Sequence, residues 1–232
     1  MEELIKSKER VQQHGEVFTP TWMVDLMLDI PEVQEATKTI DATFLEPAAG
    51  DGNFLVALLT RKLAAVDKLY SQDIEQAKRE SLWALASIYG IEFLKDNHYR
   101  AQERMLTTYS DWWNKTVGSA LDSQNDFYLS AKFLIEKNIV RGDTLEQKHP
   151  ETKDPILFFE WKRTHVPMQV SYRQERLDRG LETSENLGSF YAEGSGYQQA
   201  VAESMFSLDS DLENTLLEGT IELTKVYQLE EK

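Results

Sequence analysis

"FLEPAAGDGNFLVALL", residues 44–59, decides how this chain is read. The apolar run from Thr43 to Leu45 predicts a short buried strand entering a turn. The loop that follows is built from small residues, with Gly50 and Gly52 inside it. After it, "NFLVALLTRKLAAVDKLY" predicts a strong helix with Phe54, Leu58, Leu59 and Leu63 inward. A glycine loop between strand and helix lets backbone approach a ligand closely. The dinucleotide fingerprint asks for a third glycine, and Leu55 stands in its place. Asp51 puts a negative charge in the loop, which a pyrophosphate resists. No Gly-Lys-Ser/Thr follows, so a P-loop is excluded. The ligand is therefore expected to be neutral or cationic where it meets the loop. S-adenosylmethionine fits: its sulfonium and amino group are positive and it carries no phosphate.

Outward from this stretch, elements alternate. "FTPTWMVDLMLDIP" predicts a helix with Thr19 as N-cap, Pro20 at the first helical position, and Pro31 as a stop. Trp22, Leu26 and Ile30 fall four apart, which places them on one face. "DIEQAKRESLWALASIYG" predicts a second helix, faced by Ile74, Ala77, Ser81, Leu85 and Ile88 and stopped by Gly90. "IEFL" reads as a short strand, and "NHYRAQERML" and "FYLSAKFLIEKN" read as helices. "IVRGDTL" reads as a strand leaving into a loop, and "DPILFFEWK" as a further apolar strand. Strands alternating with helices imply an α/β fold with a parallel, doubly wound, Rossmann-like sheet. Ligands of such sheets sit at the carboxyl ends of the strands.

Composition narrows the class. The 232 residues suit one domain, or one domain plus an appendage. There is no cysteine and there are four scattered histidines, so neither disulfides nor a zinc centre is expected. No apolar run approaches the roughly 20 residues of a membrane span, and a soluble, cytoplasmic protein is expected. Net charge is −15. Residues 182–232 hold eleven acids and two bases, a net of −9, whereas residues 162–179 hold five bases and two acids. Nucleic-acid binders carry a basic footprint, and only residues 162–179 offer one, unless they form a solvated loop. The chain divides in this reading into residues 1–181 and an acidic, mostly helical appendage over 182–232. Within the latter, "ENLGSFYAEGSGY" reads as loop, and "YQQAVAESMFSL" and "DLENTLLEGTIELTKVYQL" as helices. Trp112 and Trp113 suggest core packing more than base stacking.

Four stretches in order, "GEVFTP" (15–20), "FLEPAAGDGNFL" (44–55), "IYGIEFLKDN" (88–97) and "IVRGDTL" (139–145), resemble the cofactor-binding motifs of N6-adenine DNA methyltransferases of restriction–modification systems. The resemblance covers roughly residues 14 to 145. It implies an S-adenosylmethionine site. Phe18, Thr19 and Pro20 match the motif that folds over the methionine end. Glu46 stands where the family usually has Asp and is expected to face the methionine amine. Ala48, Gly50 and Gly52 are expected to let backbone approach the cofactor, and Asn53 opens the next helix. Glu92 is expected to accept from ribose hydroxyls, Phe93 to pack on the adenine, and Asp143 to accept from the adenine amino group.

The acceptor side is not found. Methylating an adenine amino group requires a flipped base, which the family holds with Asn or Asp, Pro-Pro and an aromatic residue. No two of the six prolines are adjacent. Glu160 and Trp161 are the nearest polar–aromatic pair, and a poor substitute. The catalytic residues are unknown on this reading. DNA is expected as a partner through a complex, with another chain completing catalysis or target recognition. A non-catalytic binding or regulatory subunit with the same fold is the alternative.

Overall fold

The computed structural model describes residues 4–177 and 217–231. Three short helices come first: α1 (Lys8–His14), α2 (Thr21–Leu28) and α3 (Pro31–Thr37). Strands β1 (Phe44–Glu46), β2 (Ile88–Glu92) and β3 (Ile139–Arg141) then pair in parallel in the order β1-β2-β3. Leu45 lies opposite Tyr89, and Ile91 opposite Val140. The β1–β2 crossover holds α4 (Asn53–Leu69) and α5 (Ile74–Ala86). The β2–β3 crossover holds α6 (Lys95–Val117) and α7 (Asp126–Asn138). Phe54, Leu58, Leu59 and Leu63 are buried, as the helical period predicts. Trp112 and Trp113 are core residues.

Two local expectations are corrected. The second helix does not run to Gly90: α5 ends at Ala86, and Ile88–Glu92 is a strand with every residue buried. Ile88 continued the helical period only by coincidence. Gly90 is a packing glycine in mid-strand, where a Cβ would come within 3.1 Å of Leu55 and 3.3 Å of Ile139. In α2 the N-cap is Pro20, with Thr21 the first helical residue. Thr19 instead presents its carbonyl to the Asn53 side chain. The buried face of α2 is Val24 and Leu28, and the Trp22–Leu26 face turns outward, each 60% exposed.

The larger correction concerns the second sheet. "DPILFFEWK" supplies β4 (Leu157–Arg163), which does not join the parallel strands. It pairs antiparallel with β5 (Gln169–Arg176), and β5 pairs with β6 (Leu217–Glu222). Residues 162–176 therefore belong to a hairpin, where a solvated loop was the alternative to a phosphate contact. "LEGTIE" forms strand where helix was expected, with burial alternating along β6. Gly219 gives Tyr172 room: a Cβ there would meet its hydroxyl at 2.7 Å. A 3-10 helix, Leu223–Glu231, follows and buries Leu223, Val226 and Leu229. Its Lys225 and Tyr227 both reach Asp126 at the start of α7. The expected helix in "YQQAVAESMFSL" and the Gly/Ser-rich loop before it lie outside the described residues.

Successive strand residues point to opposite faces. Gly90 faces Leu55 of α4, and Tyr89 packs edge-on against Phe158 of β4 at 5.4 Å. The parallel sheet thus lies between α4 and the antiparallel sheet. β4 starts beside Gly142, through Ile156, and ends beside Asn138 and Asp41. The described residues form a mixed α/β structure with two three-stranded sheets. Among the described residues no helix is long and apolar enough to cross a membrane.

Candidate functional site

The carboxyl ends of β1, β2 and β3 open into one cavity of about 420 Å³. Residues 14–18 close it from one side. Pro47, Ala48 and Gly50 come from the loop after β1, Glu92, Phe93 and Leu94 from the end of β2, and Asp143 from the turn after β3. This volume lies within the range of small-molecule sites.

Backbone geometry shapes the loop. The Ala49 N–H donates to the Ile91 carbonyl (2.9 Å), tying loop to sheet. The Gly50 N–H donates to Glu92 Oε2 (2.7 Å), and the Leu94 N–H to Glu92 Oε1 (2.8 Å). One buried carboxylate thus holds the turn after β1 and the turn after β2. Burial pushes the Glu92 carboxyl above its ordinary range, and these N–H groups pull it back. Gly50 adopts φ +55° beneath the Phe18 ring, 3.5 Å from where its Cβ would lie. Gly52, at φ +91°, lines neither cavity at this end of the strands. Its Cβ would lie 3.0 Å from Ala101 Cα, so Gly52 admits α6 against α4. Asp51 pairs with Arg104 (2.8 Å), which also donates to Asn53. That cation offsets the charge which, in the sequence, argued against a phosphate.

The predicted residues separate into two neighbouring spaces. Phe18, Ala48, Gly50, Glu92, Phe93 and Asp143 line the large cavity. Thr19, Glu46 and Asn53 line a pocket of about 70 Å³, which Phe18, Ala48 and Gly50 also bound. Pro20 and Gly52 line neither. Burial raises the Glu46 carboxyl, the Ala48 N–H lowers it, and Glu92 raises it further. Asp51 lines the same small pocket, and its Oδ1 is buried with no hydrogen-bond partner among the described residues. Two carboxylates therefore converge there. Phe93 is 42% exposed, its ring 6.1 Å from His14. Asp143 Oδ1 accepts from the N–H groups of Leu145 and Glu146, so it caps its own turn while facing the cavity.

Sequence reasoning missed the groups that pin residues 4–18 over the cavity. Glu16 is buried and accepts from Arg10 and from Asn97 Nδ2 (2.6 Å). Arg10 grips Asp96 through both terminal nitrogens, at 2.9 and 3.0 Å, and Lys6 donates to Asp96 at 2.8 Å. Burial works against ionised Asp96, yet the Arg10 and Lys6 contacts hold its carboxyl well below the usual range. The local signal is slight: Glu16 lies inside "GEVFTP", and Asp96 and Asn97 end "IYGIEFLKDN".

Glu160 and Trp161 lie at the other end of the strands. They line a separate cavity of about 330 Å³ with Thr43 and Ser87, which precede β1 and β2. The Trp161 indole donates to Asn138, and Glu160 pairs with Lys162. Neither lines the cavity at the carboxyl ends. Among the described residues no three His, Asp or Glu side chains gather to hold a metal ion. No protein-family model, curated protein or solved structure matches the chain.

Proposed function

We propose that the chain binds S-adenosylmethionine in the cavity at the carboxyl ends of β1–β3, as a member of the methyltransferase class. The observation that carries the reading is convergence. Four stretches spread over residues 15–145 bring Phe18, Gly50, Glu92, Phe93 and Asp143 to one cavity. On this reading the three parallel strands are part of a Rossmann-like sheet. The small pocket suits a primary ammonium: Glu46 favours a cation, and Asp51, whose charge Arg104 offsets through Oδ2, adds Oδ1 as an unused acceptor. Glu92 takes ribose hydroxyls on lone pairs its two N–H contacts leave unused. Phe93 covers the adenine, and Asp143 accepts from its amino group. When bound, the cofactor supplies an electrophilic methyl group. This chain's residues orient it and shield it from water.

The methyl acceptor is proposed to be adenine in DNA, with its pocket completed by another chain. The absence of adjacent prolines and the placement of Glu160 and Trp161 at the far cavity favour that division of labour. The same observations favour a second reading, a binding subunit that holds the cofactor without catalysis. Isothermal titration with S-adenosylmethionine, with ATP and NAD as controls, tests the binding. Saturable binding of S-adenosylmethionine alone is expected; no binding at millimolar ligand overturns the proposal. Methyl transfer to DNA, assayed with and without neighbouring gene products, then separates catalytic from binding subunit.

A further inference from the structure

We propose that the outer face of α2 is a docking surface for a partner polypeptide presenting an apolar helix face flanked by lysine and arginine. Soluble proteins seldom leave large apolar side chains contiguous on their surface. Here Trp22 and Leu26 are each 60% exposed, Met23 40%, Met27 39%, and nearby Val17 59%. Trp22 with Leu26, and Met23 with Met27, are helix neighbours four apart, so the four form one continuous arc. The opposite arc, Val24 and Leu28, is buried. Trp and Met are residue types that protein interfaces favour.

Charge selects the occupant. Residues 17–38 contain four acids, Asp25, Asp29, Glu32 and Glu35, and one base, Lys38, which pairs with Glu35. Arg61 reaches Asp29 at 2.7 Å and Asp25 at 3.5 Å, yet both carboxylates stay 53% and 55% exposed. An acidic flank repels nucleic-acid phosphate and anionic lipid. A two-fold contact between copies would set the same acids against each other. A basic-flanked apolar helix meets neither objection and matches both features of the surface. The surface stands independently of the cofactor reading, although Met27 also bounds the small pocket beside Glu46.

The test uses full-length protein and two fluorescent helical peptides with the same Leu/Trp face, one flanked by lysines and one by glutamates. Anisotropy is expected to show the lysine peptide binding at least about tenfold tighter, with Trp22→Ala plus Leu26→Ala weakening it at least about tenfold. Because these side chains are exposed, the double variant is expected to keep its melting temperature. Equal binding of both peptides, or an unchanged affinity in the double variant, overturns the proposal. So does a dimer in light scattering that the double variant abolishes. A photo-crosslinker at Met23 joining residues 178–216 of the same chain also overturns it.

Discussion

Glu92 holds both turns at the floor of the cavity, through the Gly50 and Leu94 N–H groups. Glu92→Ala leaves two donors unpaired, and each buried orphan costs about 1–3 kcal/mol. Urea denaturation is expected to show that loss, and titration a weaker affinity for S-adenosylmethionine. Glu92→Gln keeps one acceptor and is expected to lose less stability than Ala. Lys62 offers a second test. It is fully buried, donating to the Ile40 and Ala42 carbonyls (2.8 and 2.6 Å) and to Ser87 Oγ (2.8 Å). Burial pushes its ammonium from 10.5 down to about 7. Between those values the unfolded chain binds the extra proton, so Lys62 makes stability rise with pH across that window. Lys62→Met is expected to flatten that rise and to cost about 1–3 kcal/mol at pH 7 by orphaning the carbonyls. Glu92 alone reads as a surface carboxylate; its place in the ordered motifs singled it out in the sequence. Its bond to Gly50, 42 positions away, was not legible there. Glu16 reads locally as a surface acid and is buried only because Arg10 and Asn97 come to it.

At the scale of elements, the strand–loop–helix unit around Gly50 was legible because strand, loop and helix each left a local pattern. The two glycines looked alike in sequence and differ in structure. Gly50 has only ordinary contacts with Phe18 where its Cβ would be, whereas Gly52 has Ala101 backbone at 3.0 Å. A left-handed residue that is not glycine costs about 1–2 kcal/mol. Gly50→Ala is expected to show about that much, and Gly52→Ala more, because α6 must move. Thermal melts of the two variants check the order; equal losses would mean that α6 yields freely. The α5–β2 boundary was misread for a related reason. Leu85 and Ile88 keep a helical spacing while Ile88–Glu92 is buried on both faces, and an apolar run buried all round has no period to reveal its type. The outward turn of α2 was also illegible: four-residue spacing marks an apolar face but does not say what covers it.

Across the whole molecule, sequence order misled most where partners are distant. β4 is buried on both faces, Phe158 against Tyr89 and Phe159 and Trp161 beside Phe133. Such a run reads like a parallel strand, and its sheet is completed only by β6, far along the chain. This closure makes residues 217–231 part of the core. The 3-10 helix holds the start of α7 through Asp126, and α7 runs directly into β3, beyond which Asp143 lines the cavity. Removing residues 217–232 exposes the β5 edge and unburies the neighbours of Leu223, Val226 and Leu229. At about 1.5–3 kcal/mol per side chain, the loss is about 5 kcal/mol or more, comparable with the whole stability of a small domain. The shortened chain is therefore expected to lose cooperative unfolding and to aggregate. It is also expected to lose cofactor binding, although none of the removed residues lines the cavity. Calorimetry and cofactor titration of full and shortened chains check this. A shortened chain that melts like the full one and still binds would mean that the antiparallel sheet does not support β3.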